Sequence, residues 1–307
     1  MVALRIEDYA LIGDCRTGAL VGRDGSIDWI CLPRFDSASV FGALLGGEDH
    51  GRWKVSPADA VEESERRYID STFVLSTRWR TASGEVEVLD FMPQGDQRAD
   101  LVRRVRGISG SVVMQQDLRM RFDYSAAIPW VHQAPSERRN ALIAVAGPDA
   151  LVVRGPHLRA GRQHHVSTFT VEAGTTVNLV MTWFPAHLSP PPPNDVDTQL
   201  AETIAWWQGW ASRCSPPLHY RERVIRSLLV LRALTHKDTG GIAAAVTTSL
   251  PEQFGGSRNW DYRYVWLRDA SLTIEALLAH GYAGEVEAWR GWLLRAIAGD
   301  PGDVQIM

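Results

Sequence analysis

The chain has 307 residues, 45% hydrophobic and 22% charged, with a net charge of −4 at pH 7, all ordinary globular values. They exclude a disordered, collagen-like or disulfide-scaffolded chain, and the acidic balance argues against nucleic acid as a partner. The length predicts about two domains with enough buried surface to fold without staples. Residues 10–15, 18–22 and 26–32 read as short strands punctuated by Arg16-Thr17-Gly18 and Arg23-Asp24-Gly25 turns. A short helix is expected at Val40–Leu45. Further strands follow at 73–81, 85–91, 112–122, 141–146, 151–154, 164–171 and 175–184. Several alternate, as Val86 and Val88 do with Glu85 and Glu87, so a large antiparallel sandwich with one solvated face is predicted.

Four consecutive prolines, Pro190–Pro193, then form a stiff connector that donates no backbone hydrogen bonds. Beyond them the period becomes helical. Leu200, Ile204, Trp207 and Ala211 share one stripe, with Asp195 or Asp197 as the N-cap. Val224, Leu228, Leu231 and Leu234 repeat the pattern, and two more helices are predicted at 266–280 and 283–298. The chain therefore divides into a β domain over 1–188, a proline linker over 189–197 and a helical part over 198–307.

Few motifs point to chemistry. Cys15, Cys31 and Cys214 are too scattered for a metal site and are expected as buried thiols. His164 and His165 are adjacent in a predicted strand, point to opposite faces and cannot share a metal. The arginines at 103, 104, 106, 119 and 121 are expected on solvated strand faces. No nucleotide-binding fingerprint or nucleophile elbow occurs, so no cofactor is expected. Arg5, Glu7 and Asp8 interrupt any apolar leader, and no run is long enough to span a membrane, so a cytoplasmic protein without membrane contact is expected.

One stretch is different. From Arg258 to Asp269, twelve positions hold three Arg, two Asp, one Asn, two Trp and two Tyr. Aromatic faces that pack on C–H groups, beside planar charged groups that bond hydroxyls, suit a neutral polyol. An inter-domain ion-pair network with structural aromatics fits the same composition.

The run Arg258-Asn259-Trp260-Asp261-Tyr262-Arg263-Tyr264-Val265-Trp266-Leu267-Arg268-Asp269-Ala270 resembles the signature of glycoside hydrolase family 15, the glucoamylases and their bacterial trehalase-like relatives. The segments 10–14, 24–29 and 32–37, and Thr247-Thr248-Ser249-Leu250-Pro251-Glu252, resemble the same family in the same order. Val265 departs from it, since relatives often carry Cys there. The resemblance implies an antiparallel β supersandwich followed by an (α/α)6 barrel, here incomplete, and inverting hydrolysis of an α-glucoside such as trehalose or a short α-glucan. It also implies that Arg268 and Asp269 hold hydroxyls of the terminal glucosyl unit, that Tyr262 lies beneath that ring, and that Trp266 fixes the catalytic acid. For Arg268 and Asp269 the alternative is a capping pair on the next helix. For Trp260 and Tyr264 sugar contact and barrel packing stand equal.

The acid and base that inversion requires are not found. After Asp269 the carboxylates are Glu275, in an apolar helical register, Glu285 and Glu287, read as surface positions, and Asp300 and Asp303, flanking a Pro-Gly turn. None fits either role, so no catalytic residue is assigned and the chain is expected to be the front half of an enzyme. The alternative is a non-catalytic sugar-binding or assembly protein. An incomplete barrel is expected to leave Leu228, Leu231, Leu277, Trp289, Trp292 and Leu293 partly uncovered and to promote self-association.

Overall fold

Alternating apolar residues and tight turns build a run of antiparallel strands before the first helix. The computed structural model describes residues 4–95, 97–134, 141–215, 219–253 and 255–298. The strands are β1 (Tyr9–Gly13), β2 (Gly18–Gly22), β3 (Ser26–Cys31), β4 (Ser39–Phe41), β5 (Arg52–Pro57), β6 (Val61–Tyr68), β7 (Leu75–Thr81) and β8 (Gly84–Phe91). They continue with β9 (Ala99–Arg119), β10 (Trp130–Gln133), β11 (Ala141–Ala146), β12 (Asp149–Arg154), β13 (Arg159–Ala160), β14 (His165–Glu172) and β15 (Thr176–Pro185). Four helices follow: α1 (Val196–Ser212), α2 (Arg221–Leu234), α3 (Leu267–Ala279) and α4 (Ala283–Ala296).

Two layers share one long strand. The first half of β9 lies between β8 and β15, and its second half lies between β5 and β14. The strand changes layer at Gly107–Gly110, where glycine is required by space. A Cβ on Gly107 would lie 2.1 Å from the Glu172 carbonyl oxygen, and Gly110 has φ +63° with the Ser83 carbonyl 2.2 Å away. Ile12, Val21, Ile27, Trp53 and Val55 of one layer pack against Val86, Val88, Leu101, Val153 and Met181 of the other, and this is the main core.

The expected helix at 40–45 is instead the end of β4 and a single 3₁₀ turn at Ala43–Leu45, because Gly42 and Gly46 bracket too few residues for an α-helix. The strand expected from 112 begins at Ala99. β6 was not foreseen, since Val61–Tyr68 is charged on both faces and exposed along most of its length. The solvated face expected at Glu85 and Glu87 needs correction, since Glu87 is 5% exposed and accepts from Ser76, Arg78 and Arg106. The solvated arginines also need correction. Arg103 is fully buried, donates to Asp90 and to the carbonyls of Trp53 and Gly25, and so ties the two layers together. Arg121 is buried too, bonded to the carbonyls of Met120 and Gln163.

The proline stretch is pinned rather than free. Arg154 donates to the Pro191 carbonyl at 2.6 Å and Arg98 to that of Pro192 at 3.0 Å. Asp195 caps α1 by accepting from the Thr198 amide. The helices then dock on strand turns. Trp207, Trp210, Leu228, Leu229, Leu277 and Tyr282 enclose a second core that includes Cys15 and Phe73. Leu228 and Leu277 are therefore buried, against expectation, because the β1–β2 turn, the residues before β7 and α4 cover them. Leu231, Trp289, Trp292 and Leu293 are half-buried. All three cysteines are buried and unpaired.

At this junction Asp14 is 1% exposed and accepts the amides of Arg16 and Thr17. Burial pushes its carboxyl up to about 6 against these bonds. Its folded pKa lies above the unfolded value, so the native carboxylate loses stability as pH rises from 3.8 through about 6. Relative to Asp14→Asn, the native chain is expected to lose on the order of 2 kcal/mol between about pH 4 and pH 7. Urea unfolding of both chains at the two pH values checks this.

Candidate functional site

The segment after α2 returns along itself as an irregular antiparallel pair. Bridges join Ala243 to Val265 and Thr248 to Asp261, and the amides of Ala245 and Ser249 donate to the carbonyls of Tyr262 and Trp260. The pair is fastened to the β layers at two points. The Trp29 indole donates to the Val246 carbonyl at 2.7 Å, and Arg263 reaches the carbonyls of Ser37 at 2.8 Å and Phe35 at 3.5 Å.

Arg263 is 7% exposed and lies in a bidentate fork with Asp261, with Nη2 to Oδ2 at 2.7 Å and Nε to Oδ1 at 3.0 Å. Burial raises the Asp261 carboxyl, but the Arg263 bonds and charge outweigh it and hold the group below the ordinary aspartate range. The same partnership outweighs burial at Arg263 and raises its pKa. Both stay charged, so the segment has a fixed local geometry.

The fork places the aromatic rings. The Trp266 indole donates to the Asp261 carbonyl at 3.0 Å. Tyr262 meets Trp266 edge-on at 5.3 Å and Trp260 does so at 6.0 Å. The Trp260 indole donates to Glu252 at 2.8 Å, and its amide donates to the Ser249 hydroxyl. Trp260 and Tyr264 are each 41% exposed. Immediately beyond, Arg268 and Asp269 occupy the first turn of α3 and pair at 3.2 Å, with Arg268 well exposed. The N-cap of α3, Trp266, makes no side-chain capping bond.

The structure thus brings Trp260, Tyr262 and Trp266 into one cluster, and the Arg268–Asp269 pair follows it in the chain at the start of α3. Ser249 and Glu252 belong to the 247–252 segment that resembles the family, without a role assigned from the sequence, and Tyr124 carries no sequence signal. Tyr124 belongs to the turn after β9, and its ring covers the Arg263 guanidinium at 5.3 Å. Only chain folding places it there, 139 positions upstream of Arg263, and no spacing signals it. The later carboxylates are also placed. Glu275 is exposed on α3 rather than in its apolar register. Glu285 is not a free surface group, since it accepts from the Trp210 indole at 2.6 Å and from Arg213 at 2.9 Å. Glu287 pairs with Arg290. Asp300 and Asp303 lie outside the described residues. No group of three or more His, Cys, Asp or Glu suited to a metal ion occurs among the described residues.

A layered antiparallel β structure followed by barrel-type helices, with an aromatic and charged segment between α2 and α3, defines a two-part chain of the glucoamylase fold. A bacterial glucoamylase complexed with acarbose superposes with a TM-score of 0.67 at 11% identity, over 99% of this chain and 52% of that one. A putative kojibiose phosphorylase from the human microbiome superposes with a TM-score of 0.52 at 7% identity, over 92% of this chain and 45% of that one. The chain belongs to the trehalase-like N-terminal family, whose model matches residues 1–181, and residues 219–307 match that of glycosyl hydrolases family 15. The trehalase of Mycolicibacterium smegmatis is 31% identical over 312 residues, covering 92% of this chain and 46% of the relative. That of Mycobacterium tuberculosis is 32% identical, covering 92% and 45%, and that of Thermoplasma volcanium 30%, covering 92% and 46%. The chain spans about half the length of these relatives.

Removing the Asp261 carboxylate leaves a buried guanidinium without its fork. Asp261→Ala is expected to cost about 1.5–3 kcal/mol, the usual range for bonds to a charged group. The shift of the urea midpoint measures it.

Proposed function

We propose that this chain supplies the terminal-glucosyl binding half of an α-glucoside hydrolase site, with trehalose or a short α-glucan as substrate and inversion at the anomeric carbon. The observation that carries this reading is the Trp260–Trp266–Tyr262 cluster followed directly in the chain by the Arg268–Asp269 pair at the start of α3. The Arg268 guanidinium donates to sugar hydroxyls and the Asp269 carboxylate accepts from them. Tyr262 lies under the apolar face of the ring, Trp260 forms a wall, and Trp266 fixes the orientation of the catalytic acid. The names of the trehalase relatives and the acarbose bound to the glucoamylase neighbour support the substrate class.

Inversion needs an acid to protonate the leaving oxygen and a base to activate water. None of Glu275, Glu285 and Glu287 is assigned to these roles, because each is exposed or already committed to a structural partner. The division into 1–188, 189–197 and 198–307 belongs to the same proposal, supported by the end of β15 at Pro185 and the start of α1 at Val196. So does a cytoplasmic setting, supported by three unpaired thiols. No described helix is long and apolar enough to cross a membrane.

Titrating the 307-residue chain with acarbose and trehalose, followed by tryptophan fluorescence, tests the binding site. Saturable binding is expected, and Asp269→Ala should weaken it by about 1.5–3 kcal/mol with little change in melting temperature. The chain alone should release no glucose from trehalose, maltose or maltotriose. Absence of binding overturns the site, and sustained glucose release overturns the missing acid and base.

Self-association is proposed through Leu272, Leu278 and Leu294, which are 62%, 53% and 53% exposed on α3 and α4. Sedimentation velocity should show concentration-dependent dimers, and a monomer at every concentration would dismiss the idea.

A further inference from the structure

We propose that the β layers supply a positioning residue, Tyr124, to the sugar-binding segment, and that it acts through Arg263. The inference rests on the sugar site proposed above, but its geometry is independent of any ligand. The turn that carries Tyr124 is closed by reciprocal backbone bonds between Phe122 and Ala127, at 2.9 and 3.0 Å. Within it Asp123, Tyr124 and Ser125 have φ values of +51°, +54° and +77°. Three successive left-handed residues, none of them glycine, are a conformation that L side chains avoid, and such departures concentrate where geometry serves function. The Ser39 hydroxyl holds the turn by accepting the Tyr124 amide at 3.1 Å.

The consequence is the placement of one ring. Tyr124 is 38% exposed, so burial of its own side chain does not account for the strained turn. Its ring instead covers the Arg263 guanidinium at 5.3 Å. The edges of that guanidinium are taken by Asp261 and by the Ser37 and Phe35 carbonyls. With the face covered and the edges bonded, Arg263 has one orientation. Asp261 inherits it through the fork, and the Asp261 carbonyl then fixes the Trp266 indole. A continuous path of contacts therefore runs from a turn of the β layers to the central ring of the aromatic cluster.

Both the ring face and the hydroxyl of Tyr124 meet Arg263, and the path predicts that the ring face matters more. Tyr124→Phe and Tyr124→Leu in the 307-residue chain separate the two. In Tyr124→Leu the Trp266 indole N–H should exchange with solvent about tenfold faster, as its local bond opens more often. Acarbose affinity should fall about three- to tenfold, the scale of a cation–π contact, with the strand amides still protected. Tyr124→Phe should be affected clearly less than Tyr124→Leu in both measurements, because it loses only the hydroxyl contact to Arg263 and keeps the ring face. Native exchange of Trp266 in Tyr124→Leu overturns the proposal, as does equal damage from Phe and Leu. If the native chain binds no acarbose, the sugar site fails, while the exchange measurement still decides the role of Tyr124.

Discussion

Arg263 is the constraint on which the functional half of this chain depends. A guanidinium taken out of water loses hydration, and it is tolerated only where its donors and its charge are met. Here Asp261 meets the charge and two β-layer carbonyls take remaining donors. Leaving any of these partners unpaired is costly, so the segment cannot drift from the strands without exposing the whole set. The aromatic rings that follow Asp261 are thereby held against a rigid scaffold rather than on a loop of their own.

The scaffold is rigid for a related reason. β9 belongs to both layers, and Arg103 extends from its first half to carbonyls of Trp53 and Gly25 in the opposite layer. Asp90 neutralises it inside the core. These bonds join both layers into one scaffold. The turns that receive the helices present Cys15 and Phe73 to Trp207, Trp210 and Leu228, so helices and strands share a core across the proline connection. The same preference for arginine recurs at Arg226, which donates to the carbonyls of Thr72 and Asp70 and lies over Tyr68 at 4.0 Å. A fork of five donors can bond several carbonyls at once, which a lysine ammonium cannot do with fixed geometry.

What the sequence determined by itself was set by local periodicity and by dense motifs. Alternation at Val86 and Val88, the turn residues around Gly18 and Gly25, and the stripe from Leu200 to Ala211 each obey rules that act over a few residues. The order of strands before helices, an acidic N-cap at Asp195 or Asp197 and the unusual chemistry of 258–269 are legible for that reason, and the family follows from motifs kept in order. The tertiary structure alone decided which charges are buried. Arg103 and Arg121 look like solvated arginines until the strands that supply their carbonyl partners are paired. β6 shows no apolar face because pairing with one neighbouring strand defines it, and only Tyr68 at its end packs on the core. Glu285 reads as a surface group until α1 brings Trp210 beside it. Tyr124 and Arg263 meet only because β9 ends next to the segment that precedes α3. Hydrogen bonds and cation–π contacts between distant residues depend on distance in space, and periodicity along the chain carries no trace of them.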